Sequence, residues 1–185
     1  MVDVTPKEVT HRRAIARGRV YMKPETSTLV ARGAISKGDV LAVARVAGIQ
    51  AAKRAPDLIP LCHPLLVGSV FINFRIEDRF IEVEAQVETV DRTGVEMEAL
   101  TAATVAALTI YDMCKSSDRS MVIGDITLWE KTGGRSGVYR RDPLEPLGVE
   151  SMPGDFDGTF VSGLGDDLDD DADDDLGLGD VDLDA

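Results

Sequence analysis

Val70-Phe71-Ile72-Asn73-Phe74-Arg75-Ile76-Glu77, then a turn near Asp78, then Ile81-Glu82-Val83-Glu84-Ala85-Gln86-Val87-Glu88: this stretch decides the fold. Apolar and polar side chains alternate with a period of two in both halves. Such alternation with one polar face predicts an antiparallel hairpin, one side packed and one side wet. Toward the C-terminus, residues 94–114 are rich in Ala and Leu and predict a long helix. Its charges sit at the ends, Glu96 and Glu98 at the start, Asp112 and Lys115 at the finish. Acids at the N-terminus and a lysine at the C-terminus suit the helix dipole, but Asp112 does not. A final strand is expected over 121–129, leading into Lys131-Thr132-Gly133-Gly134-Arg135-Ser136-Gly137.

Toward the N-terminus, Lys37-Gly38-Asp39 opens a second helix. Asp39 suits the cap, Val40, Val43, Ala44 and Ala47 recur at helical spacing, and Pro56 requires the helix to end before it. Residues 19–22 and 28–32 read as short β-leaning pieces on either side of Pro24, and residues 1–25 as a polar, basic N-terminal arm. The order strand, helix, strand, strand, helix, strand is that of an α+β, ferredoxin-like split βαβ fold: an antiparallel sheet with two helices packed on one face. A helix that is apolar around most of its circumference needs cover on more than one side. Since one sheet covers one side, a second subunit is expected on the other, making the protein oligomeric.

The chain has 185 residues and a formal net charge of -13, and that charge is not spread evenly. Residues 151–185 hold 13 Asp and no Lys, Arg or Glu, leaving 20 acidic against 20 basic groups in residues 1–150. The expected organisation is therefore a domain over 1–150 and an acidic, low-complexity tail over 151–185 that cannot pack a core and is disordered. A neutral body excludes the basic balance of a nucleic-acid binder. The uncharged helix segment 99–111 is 13 residues long, short of the roughly 20 that span a membrane. Cys62, Cys114, His11 and His63 are too few for a disulfide framework or a structural metal site. No apolar leader opens the chain, so a cytoplasmic location is expected.

Four segments carry chemistry-bearing residues. Asp57-Leu58-Ile59-Pro60-Leu61-Cys62-His63-Pro64-Leu65 has no helical or strand period, and its prolines stiffen a loop that aims Cys62 and His63. It reads equally as a buried turn. Gly94-Val95-Glu96-Met97-Glu98 feeds acids into a helix start, which is also what a plain helix N-terminus does. Asp112 and Lys115, at i and i+3, share a helix face, as many surface ion pairs do. However, the negative field of the helix end is expected to raise the Asp112 carboxyl pKa, which would suit a proton donor. The loop 131–137 brings two cations and two hydroxyls to glycines that allow close approach of an anion, without the spacing of a Walker loop.

Taken with Lys37-Gly38-Asp39-Val40, Ala44 to Arg54, and Met121-Val122-Ile123-Gly124, these segments closely resemble the MoaC family of molybdenum cofactor biosynthesis over roughly residues 1–140. The resemblance implies conversion of (8S)-3′,8-cyclo-7,8-dihydroguanosine 5′-triphosphate to cyclic pyranopterin monophosphate with release of pyrophosphate, by a lyase acting on a phosphorus–oxygen bond. The substrate would come from a radical S-adenosylmethionine enzyme acting on GTP. Carried over by position, Asp112 matches the catalytic acid/base. Leu61, Cys62 and His63 match one substrate-contacting segment, and Met97 with Glu98 another. Lys53, Lys115 and Lys131 fall on lysines associated with the active site, and His63 and Lys115 join Asp112 in the catalytic set. Arg135 stands where a lysine is expected, which keeps the charge and changes its geometry. Residues 116–120 and the acidic tail match nothing in the family pattern. No cofactor is implied beyond an Mg²⁺ ion that could accompany the triphosphate.

The residues support those roles. A triphosphate brings roughly four negative charges, which preorganised cations must answer; Lys53, Lys115, Lys131 and Arg135 are the candidates. Turning a reduced purine into a pterin needs proton transfers, for which Asp112 and His63 are suited. Glu98 could accept from guanine-like N–H donors. Glu98 and Asp112 lie 14 residues apart on one helix, about 21 Å along its axis, so a site shared between subunits is expected. The family's hexameric, trimer-of-dimers assembly agrees with that. The competing reading is a non-catalytic module that binds a purine nucleotide and regulates; such a module has no use for an acid at Asp112.

Overall fold

The hairpin forms where the alternation places it. In the computed structural model, which describes residues 1–142, strand β2 (Ser69–Ile76) pairs antiparallel with β3 (Phe80–Asp91), with Val70 opposite Val87, Ile72 opposite Ala85 and Phe74 opposite Val83. Ile81, Val83, Ala85 and Val87 are completely buried, while Glu82, Glu84, Gln86 and Glu88 project from the other side. The expected tail over 151–185 lies outside the described residues.

The basic N-terminal arm is corrected. Thr10–Tyr21 is a 12-residue strand, β1, at the centre of the sheet between β3 and β4 (Val122–Thr132). Its small residues explain why it hides from a hydropathy reading. Ala14, Ala16 and Val20 are fully buried on the helix side, and Gly18 leaves the space that Ile126 fills, since a Cβ there would meet Ile126 Cδ1 at 2.2 Å. On the wet face, Arg13, Arg17 and Arg19 stand opposite Glu88, Glu84 and Glu82. Arg17 and Arg19 reach those acids at 2.7 and 3.2 Å, and Arg13 reaches Glu130 on β4 at 2.8 Å. Cross-strand pairs of opposite charge stabilise a ladder that basic residues alone would disrupt.

The β-leaning piece over 28–32 is likewise corrected. Pro24–Ala31 is a helix, α1, started by Pro24, whose fixed φ suits a first turn. The Thr28 hydroxyl donates to the Pro24 carbonyl, and the Ser27 hydroxyl lies between two acceptors, Asp78 O at 2.8 Å and Pro24 O at 3.0 Å. The second helix, α2 (Val40–Ala52), begins as expected: the Asp39 side chain accepts from Ala42 N–H at 3.0 Å. It ends before Pro56, which falls in the short helix α3 (Ala55–Leu58). The long helix α4 spans Glu96–Cys114, and a two-residue strand β5 (Tyr139–Arg140) closes the described fold.

The sheet order is β2-β3-β1-β4-β5, with every neighbouring pair antiparallel. Helices α2 and α4 pack on it and on each other around a core rich in alanine: Ala14, Ala16 and Ala85 from strands, Ala99, Ala102, Ala103, Ala106 and Ala107 from α4, all completely buried. Small side chains bring α4 close to the sheet. Gly48 does the same between helices, since a Cβ there would meet Ala102 O at 3.0 Å and Ala106 Cβ at 3.3 Å. The outer strip of α4 shows Thr104 and Leu108 to solvent, and the neighbouring Val43 and Val46 of α2 are exposed as well. None of the described helices is long and apolar enough to cross a membrane.

Candidate active site

The loop that follows α3 is held by its own backbone: Cys62 N–H donates to Ile59 O at 3.0 Å, between Pro60 and Pro64. That turn points Cys62 at the first turn of α4, where the thiol donates to Glu98 Oε1 at 3.5 Å. Glu98 is 1% exposed, and its other oxygen, Oε2, is buried with no hydrogen-bond partner among the described residues. Burial pushes the Glu98 carboxyl pKa up, and Glu96 adds to it. Burial and the Glu98 charge push the Cys62 thiol up to about 11. Leu61, Cys62, His63, Met97 and Glu98 line a cavity of about 240 Å³ with Thr93, Gly94 and Glu96.

A larger cavity of about 730 Å³ shares Thr93, Gly94 and Glu96 with it. Its walls carry Lys7, Arg12, Arg13, Arg92, Lys131 and Arg135 against Glu8 and Glu96. Arg12 is only 9% exposed, and its guanidinium donates to the backbone carbonyls of Asp91, Arg92 and Glu8 rather than to a carboxylate. Its charge is therefore available to an anion. The glycine loop folds around it: Gly133 and Gly134 have φ of 94° and 73°, and a Cβ on Gly134 would sit 1.7 Å from Arg12 Nη1. Lys131 lies 3.7 Å from Glu96 and hydrogen-bonds Ser136 Oγ.

At the other end of α4, Asp112 is held between two ammonium groups. Lys115 Nζ is 2.7 Å from Oδ1 and Lys37 Nζ is 2.8 Å from Oδ2; Lys37 also donates to the Asp112 carbonyl at 2.8 Å. The expected upward shift of the Asp112 pKa is corrected by this geometry. Hydrogen bonds from Lys115 and Lys37 bring the carboxyl down to about 2, outweighing the helix end. Asp112 therefore rests as a carboxylate, with both lysine ammonium groups as its hydrogen-bond donors.

Residues 1–134 match the family model described as the MoaC family. The chain belongs to the MoaC family. It is 62% identical over 147 residues to the cyclic pyranopterin monophosphate synthase of Thermomicrobium roseum, covering 78% of this chain and 89% of that protein. The synthase of the same name from Roseiflexus sp. (strain RS-1) is 60% identical over 144 residues, covering 77% and 91%. That of Pelotomaculum thermopropionicum is 58% identical over 143 residues, covering 76% and 84%.

In this MoaC-family chain the two predicted segments, Leu61-Cys62-His63 and Met97-Glu98, meet in one cavity, and Lys131 and Arg135 line the adjoining one. Asp112 and Lys115 pair with each other at the far end of the helix, about 21 Å from Glu98 along the axis. Lys53, the exposed residue that caps the C-terminus of α2, lines neither cavity. Sequence reasoning missed Arg12 and Lys7 because the first 25 residues read as an arm rather than a strand, and Arg92 because it lies in the turn after β3, outside every segment singled out. It also missed Lys37, although the Lys37-Gly38-Asp39 run was in view: Gly38, at φ 100°, makes the turn between that lysine and α2.

Proposed function

We propose that this chain is a cyclic pyranopterin monophosphate synthase, an enzyme that converts (8S)-3′,8-cyclo-7,8-dihydroguanosine 5′-triphosphate to cyclic pyranopterin monophosphate and pyrophosphate in molybdenum cofactor biosynthesis. The observation that carries the reading is the junction of the two cavities at Thr93, Gly94 and Glu96. One is cationic and large enough for a triphosphate, and the other holds a buried carboxyl suited to the N–H edge of a purine-derived ring. Forming a cyclic monophosphate requires a substrate oxygen to attack the α-phosphorus while the bond to the β-phosphate oxygen breaks. The leaving pyrophosphate gathers negative charge, which Arg12, Arg92, Lys131 and Arg135 are placed to answer. That bond cleavage supports assignment to the phosphorus–oxygen lyases.

The base in this reading is Asp112, with Lys115 and Lys37 beside it to stabilise or return protons, and His63 supplies a second proton-transfer group at the ring. Glu98 and Asp112 face opposite ends of α4, so one substrate meets Glu98 of one subunit and Asp112 of another. The strand order supports reading the sheet as ferredoxin-like, and the exposed Val43, Val46 and Leu108 offer apolar area for a neighbouring copy. A hexamer built as a trimer of dimers provides such shared sites. The domain is taken to span residues 1–150 and to act in the cytoplasm, downstream of a radical S-adenosylmethionine enzyme that makes its substrate from GTP. No resident cofactor enters the scheme; any Mg²⁺ arrives with the triphosphate.

The test is turnover of the enzymatically prepared cyclic dihydroguanosine triphosphate, followed by pyrophosphate and by the oxidised fluorescent pterin. Wild type should yield both products, and Asp112→Ala neither, while still binding the triphosphate. Wild type that binds without releasing pyrophosphate would be a nucleotide-binding module instead. Mixing Asp112→Ala with Glu98→Ala subunits should restore part of the activity; a mixture that stays inactive after subunit exchange sinks the shared site.

A further inference from the structure

We propose that Cys62 is a positioning residue for ligand recognition, its thiol holding Glu98 Oε1 so that Oε2 is kept for an N–H donor of the bound ring. The inference rests on the proposed function only for the identity of that ring.

Three observations carry it. The Cys62 backbone is pinned by its bond to Ile59 O and by the flanking prolines, which keeps the residue beside the first turn of α4. The Sγ to Oε1 distance of 3.5 Å suits an S–H donor, whose bonds are longer than those of N–H or O–H. A thiol has one proton, and of the two acceptors within its reach Glu98 Oε1 at 3.5 Å is nearer than His63 O at 3.8 Å. Second, Oε2 is an unpartnered oxygen on a side chain 1% exposed that lines the cavity. Buried polar atoms are almost always paired, and leaving a carboxylate oxygen bare is costly. A bound donor removes that cost, so the cavity favours ligands with an N–H edge over those without. Third, the alternative task for Cys62, covalent attack, is chemically opposed. Burial and the neighbouring Glu98 hold the thiol at about 11, and the thiolate is the attacking species.

The other titratable groups lining the cavity are His63, on the same loop as Cys62, and Glu96, on α4 beside Glu98. Neither comes between the thiol and Glu98, so the pairing can be read through Cys62 itself. In the ligand-free protein, the rate of iodoacetamide labelling at Cys62 is followed against pH by mass spectrometry, with Cys114, which is completely buried, as internal control. Glu98→Gln should move the Cys62 labelling midpoint down, from about 11 toward the ordinary thiol value of 9.0. Identical profiles in wild type and variant overturn the pairing, whatever the enzyme's substrate. With substrate, Cys62→Ala should raise KM about tenfold, the loss of one hydrogen bond to a charged group, while kcat stays within about threefold. Cys62→Ser, which keeps a donor, should recover most of the affinity. A collapse of kcat in both variants means Cys62 does chemistry, and unchanged KM in Cys62→Ala means Glu98 needs no holding; either result overturns the proposal.

Discussion

Glu98 and Asp112 are two carboxyls on one helix, and their environments push them in opposite directions. Glu98 sits in the first turn, where the helix dipole favours a negative charge, yet its pKa is raised; Asp112 sits in the last turn, where the dipole opposes a negative charge, yet its pKa is brought down to about 2. The dipole is worth only about 0.3–1 kcal/mol at such positions. Burial overrides it at Glu98, and two ammonium groups within 2.8 Å override it at Asp112. Asp118, just beyond the helix, separates burial from donor supply. It is 2% exposed, nearly as buried as Glu98, and burial alone would raise it. However, it accepts from Ser120 Oγ at 2.6 Å, Lys23 N–H at 2.9 Å, Ser120 N–H at 3.0 Å and Thr26 Oγ1 at 3.4 Å. Those bonds win, and its carboxyl is held at about 2. Donors, more than depth, set the state of an acid in this protein.

The largest effect should come from Asp112→Asn. Removing the base while keeping the shape is expected to lower kcat by about 10²–10⁴-fold, with substrate binding retained in a calorimetric titration. Next is Asp118→Ala, which strips several donors of one buried acceptor: a loss of about 3 kcal/mol, or roughly 10 °C in Tm by differential scanning calorimetry, is expected. The pH sign follows from the lowered pKa. Asp118 contributes stability above its ordinary value of 3.8, and loses it as pH falls from there through about 2. The acid side of the wild-type stability curve should therefore flatten in the variant. Glu98→Gln should act on affinity more than on rate, raising KM by about 10- to 100-fold. If instead Glu98→Gln matches Asp112→Asn in kcat at unchanged KM, the division between a recognising end and a proton-moving end of α4 is wrong.

The same contrast explains what could be read from the chain beforehand. Periodicity was strong where bulky residues alternated, so β2 and β3 were legible to within a few residues, and α4 was legible from its Ala- and Leu-rich run with charges only at the ends. It was weak in β1, where Ala14, Ala16 and Gly18 bury without being large and the arginines of the wet face look like a solvated arm until Glu82, Glu84 and Glu130 are placed across from them. Missing that strand also hid Arg12 and the cationic cavity. Helix α1 escaped because the run 28–32, with Thr28 and Val30, leans toward a strand locally, while the Thr28 hydroxyl bonds the Pro24 carbonyl only once the helix has formed. At the site, the residue types at Cys62, His63, Glu98 and Asp112 were legible, but the direction of the Asp112 shift was not. That direction is set first by Lys115, three residues on, whose bond to the carboxylate outweighs the helix end, and is reinforced by Lys37, 75 residues away in the chain, which no local rule brings there. The segment 116–120, which matched no motif, is the acceptor and donor cluster around Asp118 that ties the end of α4 to the start of α1.

The smallest effect, and the sharpest reading of the Asp112 end, should come from Lys37→Met. Lys115 is the larger cause of the lowered pKa, so losing Lys37 leaves the pair intact and removes only the second contribution. The Asp112 carboxyl should then titrate above about 2 but still below its ordinary 3.8, as followed by carboxyl-carbon NMR on selectively labelled protein. Lys115→Met should move it further. The side chains are half exposed, so salt near 1 M, where the screening length is about 3 Å, should shrink both differences. A wild-type carboxyl that already titrates near 3.8 would mean the ion pairs do not hold it in solution, and the contrast with Glu98 would then rest on the burial of Glu98 alone.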